Sequence, residues 1–113
     1  MNVLQNKKEE CVLVVDDAVD NLYLMQFILE SEGYTVDLAD SGEQALQKVK
    51  SCQPDLILLD LMMPKMNGYE VIERLRKDNY LQDIPVFLVT ADKYTNCHQA
   101  IAAGANGVIY KPI

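Results

Sequence analysis

Long apolar runs are missing from this 113-residue chain. The continuous apolar stretches are short, such as Val12-Leu13-Val14-Val15 and Leu56-Ile57-Leu58-Leu59, far below the roughly 20 residues that a membrane-spanning helix needs. A membrane span is therefore excluded. The polar opening segment, residues 1–10, lacks the apolar core of a secretory leader, so the expected location is cytoplasmic. Cysteine is sparse. Cys11, Cys52 and Cys97 are odd in number and widely spaced, and with no Cys-x-x-Cys pair they read as reduced thiols rather than zinc ligands or a redox couple. Basic residues are also in deficit. Ten lysines and arginines stand against 17 acidic residues, a formal charge of −7, which argues against a nucleic-acid or anionic-membrane surface because phosphates are bound by excess positive charge. Partners should be proteins, cations or small ligands. No linker, repeat or low-complexity tract divides the chain, so function must come from one domain. A domain of this length buries roughly two-thirds of its unfolded surface without disulfides or a structural metal.

What the chain does contain is an alternation of two kinds of apolar segment. Residues 12–15, 56–59, 86–89 and 108–110 are continuously apolar, as strands covered on both faces of a parallel sheet should be. The mixed segment 34–39 reads as an edge strand. Between the first two strands, Leu22, Met25 and Leu29 recur at helical spacing and Gly33 supplies a stop, which predicts a helix over 18–32. Ser41 with Gln44 is a capping-box pattern before Ala45, Leu46 and Val49, and Asn67 with Glu70 opens a third helix that buries Val71, Ile72 and Leu75. A fourth, over 94–103, has only Cys97, Ile101 and small alanines for its core face. Repeated β-α units with short connections give single-helix crossovers, right-handed in nearly all cases, and hence a five-stranded doubly wound sheet. No helix follows the last strand, so one patch of sheet should lack its cover.

In such a sheet, ligands bind where the carboxyl ends of the strands open into diverging loops. Asp16 and Asp17 follow the first strand, Asp60 the third, Thr90 the fourth and Lys111 the fifth. Three carboxylates gathered at one rim repel, two unit charges about 4 Å apart interacting by about 4 kcal/mol at an effective dielectric near 20. Lys111 offsets part of this, and a hard divalent cation would offset the rest. An all-oxygen set suits Mg²⁺ rather than zinc. Each residue alone has a plain structural reading: Asp17 or Asp20 as a helix cap, Thr90 as an ordinary strand end, Lys111 as surface charge. Their conjunction at corresponding strand ends favours a site.

With Val12-Leu13-Val14-Val15-Asp16-Asp17, Asp60-Leu61-Met62-Met63-Pro64-Lys65-Met66-Asn67-Gly68, Val89-Thr90-Ala91 and Lys111-Pro112 in place, the chain resembles the receiver domain of bacterial two-component response regulators. The resemblance spans residues 11–113, and the stretch from Asp60 to Gly68 is its most specific part. It implies a flavodoxin-like sheet of order 2-1-3-4-5, here without the family's final helix. It further implies that Asp60 accepts a phosphoryl group from a sensor histidine kinase or phosphotransfer protein. Asp17 and Asp60 would bind Mg²⁺ directly, Asp16 through water and Met62 through its backbone carbonyl, while Thr90 and Lys111 would contact phosphoryl oxygens. Turnover would be limited to self-phosphorylation and autodephosphorylation at Asp60, so the chain is not expected to be an enzyme in the wider sense. Two departures stand out. The family's usual aromatic three positions before the lysine is Val108 here, with Tyr110 one position before Lys111. The bare face left by the missing helix belongs either to a truncated chain, the favoured reading, or to one covered by another subunit, a homodimer among the options.

Rival readings have their own signatures. A haloacid-dehalogenase-type phosphohydrolase needs a second Asp two residues after the nucleophile, where this chain has Met62. A phosphate-independent interaction module with the same fold would have lost one of the acidic, threonine or lysine positions, and none is lost. His98, single and without a helical bundle, reads as a surface residue rather than a phosphorelay histidine.

Overall fold

A computed structural model describes residues 10–111; the opening polar segment, apart from Glu10, together with Pro112 and Ile113 lies outside the described residues. Strands β1 (Cys11–Val15), β2 (Thr35–Ala39), β3 (Leu56–Asp60), β4 (Val86–Thr90) and β5 (Gly107–Tyr110) alternate with helices α1 (Val19–Ser31), α2 (Gly42–Cys52), α3 (Gly68–Lys77) and α4 (Cys97–Ala102). The strands pair in parallel in the order β2-β1-β3-β4-β5, which is the expected topology. Val12 stands between Val36 and Leu56 and Val15 between Ala39 and Leu59, so β1 and β3 are central and read as unbroken apolar runs because both of their faces are covered.

Alternate residues of each strand feed two cores, as the two-residue period of a strand requires. Leu13, Val15, Ile57, Leu59, Val86 and Leu88 meet Ala45 and Val49 of α2, Val71, Ile72 and Leu75 of α3 and Ala100 of α4. Val12, Val14, Leu58 and Val89 point the other way, toward Leu22 of α1. No helix follows β5 among the described residues, and the second core remains thin. On α1, Tyr23, Leu24 and Phe27 are exposed.

Local chemistry sets the helix ends. Asn67 and Glu70 form the reciprocal capping box that their spacing predicts. At α2 only half of the pattern closes on itself. Ser41 Oγ accepts from the Gln44 amide, whereas Gln44 Oε1 reaches back to the amide of Asp40 instead of Ser41. Helix α1 is capped by neither Asp17 nor Asp20. Its N-cap is Ala18, whose methyl side chain offers no acceptor, while the Ala18 amide itself donates to Asp16 Oδ1 at 2.9 Å.

Two expectations for α4 need correction. The helix covers only residues 97–102, with Asn96 as its cap, and its buried residue is Ala100; Cys97 and Ile101 are exposed. In so short a helix the small residue lies closest to the sheet, so its larger neighbours are turned outward. Cys52 is an inert thiol. Burial and its hydrogen bond to Asp37 push its pKa up to about 11, far from the thiolate that nucleophilic or redox work needs.

Candidate functional site

Backbone bonds carry the sheet ladder one step past three strands and so fix the rim. Asp16 N donates to Ala39 O (3.1 Å), Leu61 N to Val89 O (3.1 Å) and Lys111 N to Thr90 O (2.7 Å). Asp16 and Asp60 are thereby held buried at 5% and 6% exposure, and Thr90 is fully buried. Asp17, turned outward at the same edge, is exposed. One carboxylate oxygen each from Asp16, Asp17 and Asp60 lies within 4.8 Å of the others.

Lys111 reaches this cluster from β5. Its Nζ is 3.1 Å from Asp16 Oδ2 and 3.9 Å from Asp60 Oδ2. Asp16 is fully engaged: Oδ1 accepts from Ala18 N and Oδ2 from both Asn21 Nδ2, at 3.2 Å, and Lys111. Asp60 receives the amide of Met62 on Oδ1 at 3.2 Å, leaving its other oxygen toward the ammonium. Burial pushes the Asp60 carboxyl up to about 6, reinforced by the negative Asp16 beside it; Lys111 and the Met62 amide pull the other way. One ammonium, paired with Asp16 and Asp60, against three carboxylates leaves net negative charge at the rim, and the donor set of hard oxygens fits a small divalent cation.

Gly68, at the start of α3, lets that helix lie against the end of β3. A Cβ there would come within 3.0 Å of Asp60 O and Leu61 Cα and 2.9 Å of Leu88 Cδ2. The backbone at Asp60 is thus backed by packed chain.

All the residues singled out by strand-end position therefore share one edge of the sheet. Three hydrogen-bonding roles outside the acidic cluster were not legible in advance. Asn21 sits on α1 one turn beyond the aspartate pair and braces Asp16. Tyr110 reaches the loop before α4, its Oη donating to Thr95 O at 2.8 Å. Away from the rim, at the opposite edge of the sheet, Arg76 of α3 ties that helix to the loops before β4 and β5 through the carbonyls of Gln82, Ile84 and Gly104. A position near the site in the fold was the only signal for Asn21; Tyr110 stood out as the aromatic one position before Lys111 but without its partner, and nothing marked Arg76. Beside the acidic cluster, the thin face opens as a largely apolar groove of about 410 Å³ between α1 and the sheet, lined by Val14, Leu24, Met25, Leu58 and Val89 with Asp16 and Lys111 at its rim.

A flavodoxin-like α/β sheet with an acidic rim and a lysine opposite it defines the class: a receiver-type signalling domain. The chain belongs to the response regulator receiver domain family, whose model matches residues 12–113. Alkaline phosphatase synthesis transcriptional regulatory protein PhoP of Bacillus subtilis is 40% identical over 108 residues, covering 95% of this chain and 43% of that protein. Response regulator PleD of Caulobacter vibrioides is 41% identical over 103 residues, or 90% of this chain and 23% of that protein. The chain spans less than half the length of these relatives. Among solved structures, chemotaxis protein CheY4 of Vibrio cholerae matches with a TM-score of 0.88 at 30% identity, over 94% of this chain and 89% of that one. No helix among the described residues is long and apolar enough to cross a membrane.

Proposed function

We propose that Asp60 is a phosphoacceptor, charged in the cytoplasm by a sensor histidine kinase or a phosphotransfer protein in a Mg²⁺-dependent reaction. The observation that carries this reading is a buried Asp60 whose carboxylate lies 3.9 Å from Lys111 Nζ and within 4.8 Å of oxygens of Asp16 and Asp17. A free Asp60 oxygen attacks phosphorus in line. The bond from phosphorus to the donor's nitrogen or oxygen breaks, and that atom leaves with the electron pair. Asp17 and Asp60 directly, Asp16 through a water and the Met62 carbonyl would hold the Mg²⁺, which when bound neutralises charge on the phosphoryl oxygens. Lys111 exchanges part of its contact with Asp16 for a phosphoryl oxygen, and Thr90 offers its hydroxyl hydrogen to another. Ala91, small and next to Thr90, leaves the approach open.

The product carries nearly two negative charges where one carboxylate stood. Thr90, drawn toward it, moves the loop that leads to α4, and the changed surface of β4, α4 and β5 is the output, read by a protein partner. Water later attacks phosphorus, the bond from phosphorus to the Asp60 oxygen breaks, and inorganic phosphate leaves with the Asp60 carboxylate restored. With a charge of −7, this chain itself is not expected to contact nucleic acid. Intact-mass measurement after incubation with Mg²⁺ and acetyl phosphate tests the acceptor role: one phosphate adduct forms on the protein and none on Asp60→Asn.

A further inference from the structure

The loop between β4 and α4 is tied at both ends by hydrogen bonds that form a ring. Thr90 Oγ1 accepts from Asp92 N at 3.0 Å, Asp92 O accepts from Thr95 N at 3.2 Å, and Thr95 O accepts from Tyr110 Oη at 2.8 Å. Tyr110 stands opposite Thr90 in the sheet register, and Lys111 N closes the ring on Thr90 O at 2.7 Å. Immediately after Thr95, the Asn96 side chain caps α4 by accepting from the amides of His98 and Gln99. The ring therefore contains both residues that the reading above places on the phosphoryl group, and it ends at the first turn of α4.

We infer that Tyr110 is a positioning residue: through Thr95 it holds the β4–α4 loop, and with it Thr90, in the arrangement of the unphosphorylated protein. This rests on the phosphoacceptor reading of Asp60. A move of Thr90 toward a phosphoryl oxygen either carries its Asp92 partner along or breaks the bond from the Asp92 amide; with Tyr110 as the tether, it takes the first course. Asp92 is bonded to Thr95 and Thr95 to Tyr110, so the movement works against the phenol contact. Phe at position 110 would keep the ring of the side chain on the strand and delete only the hydroxyl. A net hydrogen bond is worth about 0.5–1.5 kcal/mol, which converts to roughly a two- to twelvefold change in an equilibrium or rate.

The test compares the protein, Tyr110→Phe and Tyr94→Phe. Tyr94 belongs to the same loop but is almost fully exposed, so its variant controls for loss of a phenol nearby. Without phosphodonor, amide exchange over residues 92–99 should quicken about fivefold in Tyr110→Phe and stay unchanged in Tyr94→Phe. With Mg²⁺ and acetyl phosphate, Tyr110→Phe should take up phosphate several-fold faster at saturation, with the half-saturating donor concentration unchanged. Unaltered exchange in Tyr110→Phe overturns the tether. Quickened exchange with unaltered phosphate uptake overturns its positioning role. If the unsubstituted protein takes up no phosphate, the acceptor reading of Asp60 and the coupling fall together, while the exchange comparison still decides whether the tether exists.

Discussion

The two faces of the sheet are unequal. Among the described residues, the face toward α2, α3 and α4 gathers 18 buried apolar residues into one cluster, whereas the face toward α1 gathers five. The rich face has three helices interdigitating with β1, β3 and β4; the poor one has a single helix whose Leu24 and Phe27 stand 55% and 74% exposed. Burial of apolar area is the main favourable term in folding, so stability is concentrated on the first face. The acidic rim lies at the junction of the two. Asp60 is backed by the firm face through Gly68 and Leu88, while Asp16 and Lys111 border the open groove of the weak one. A rigid nucleophile and a yielding partner surface are thereby built into one edge.

Substitutions can break that comparison. Leu75, fully buried in the rich core, should cost about 2–5 kcal/mol when replaced by alanine, the range for a cavity left in a packed interior. Urea unfolding measures it, and a cost below 1 kcal/mol would show that the rich face is not the stabilising one. Arg76→Ala comes next. It strips hydrogen-bond donors from the carbonyls of Gln82, Ile84 and Gly104, and about 2–3 kcal/mol is expected from losing bonds to a charged group.

Asp60 should act in the opposite direction. Its folded pKa, raised to about 6, exceeds the unfolded value near 3.9, so the folded state disfavours the charged form. Stability should therefore rise as pH falls from about 7 through 6 toward 4, and Asp60→Asn should stabilise the Mg²⁺-free protein by about 1–3 kcal/mol at pH 8. Below pH 4 that gain should vanish, and thermal unfolding across pH 4–8 records both. Smallest of all, Phe27→Ser on the weak face should change stability by less than about 0.5 kcal/mol, as for other exposed positions. A loss above 1 kcal/mol in the same urea assay would mean that Phe27 is covered, and concentration dependence of that loss would locate the cover in a second copy.

Most of the fold was legible because its signals are local. β1, β3 and β4 are unbroken apolar runs, Asn67-Gly68-Tyr69-Glu70 carries its own capping chemistry, and β-α alternation requires a parallel doubly wound sheet, whereas the strand order was implied by the family resemblance. Helix α4 was harder to phase. Six residues long, it gives no periodicity to choose between Ile101 and Ala100. The candidate site was legible for a different reason: topology alone brings the ends of β1, β3, β4 and β5 to one rim, so Asp16, Asp17, Asp60, Thr90 and Lys111 could be named by position. The hydrogen bonds of Arg76, away from the rim, and of Tyr110, whose place beside Lys111 was plain, could not. Their partners are backbone carbonyls, 28 residues away for Gly104 and 15 for Thr95, and a carbonyl leaves no mark in the sequence.

The central claim is that the carboxylate at the junction of the two faces is a phosphate acceptor. Intact mass after incubation with Mg²⁺ and acetyl phosphate tests it most directly. The account predicts one phosphate adduct, dependent on Mg²⁺ and absent in Asp60→Asn. No adduct with acetyl phosphate or any other donor, together with no binding of Mg²⁺, would contradict it.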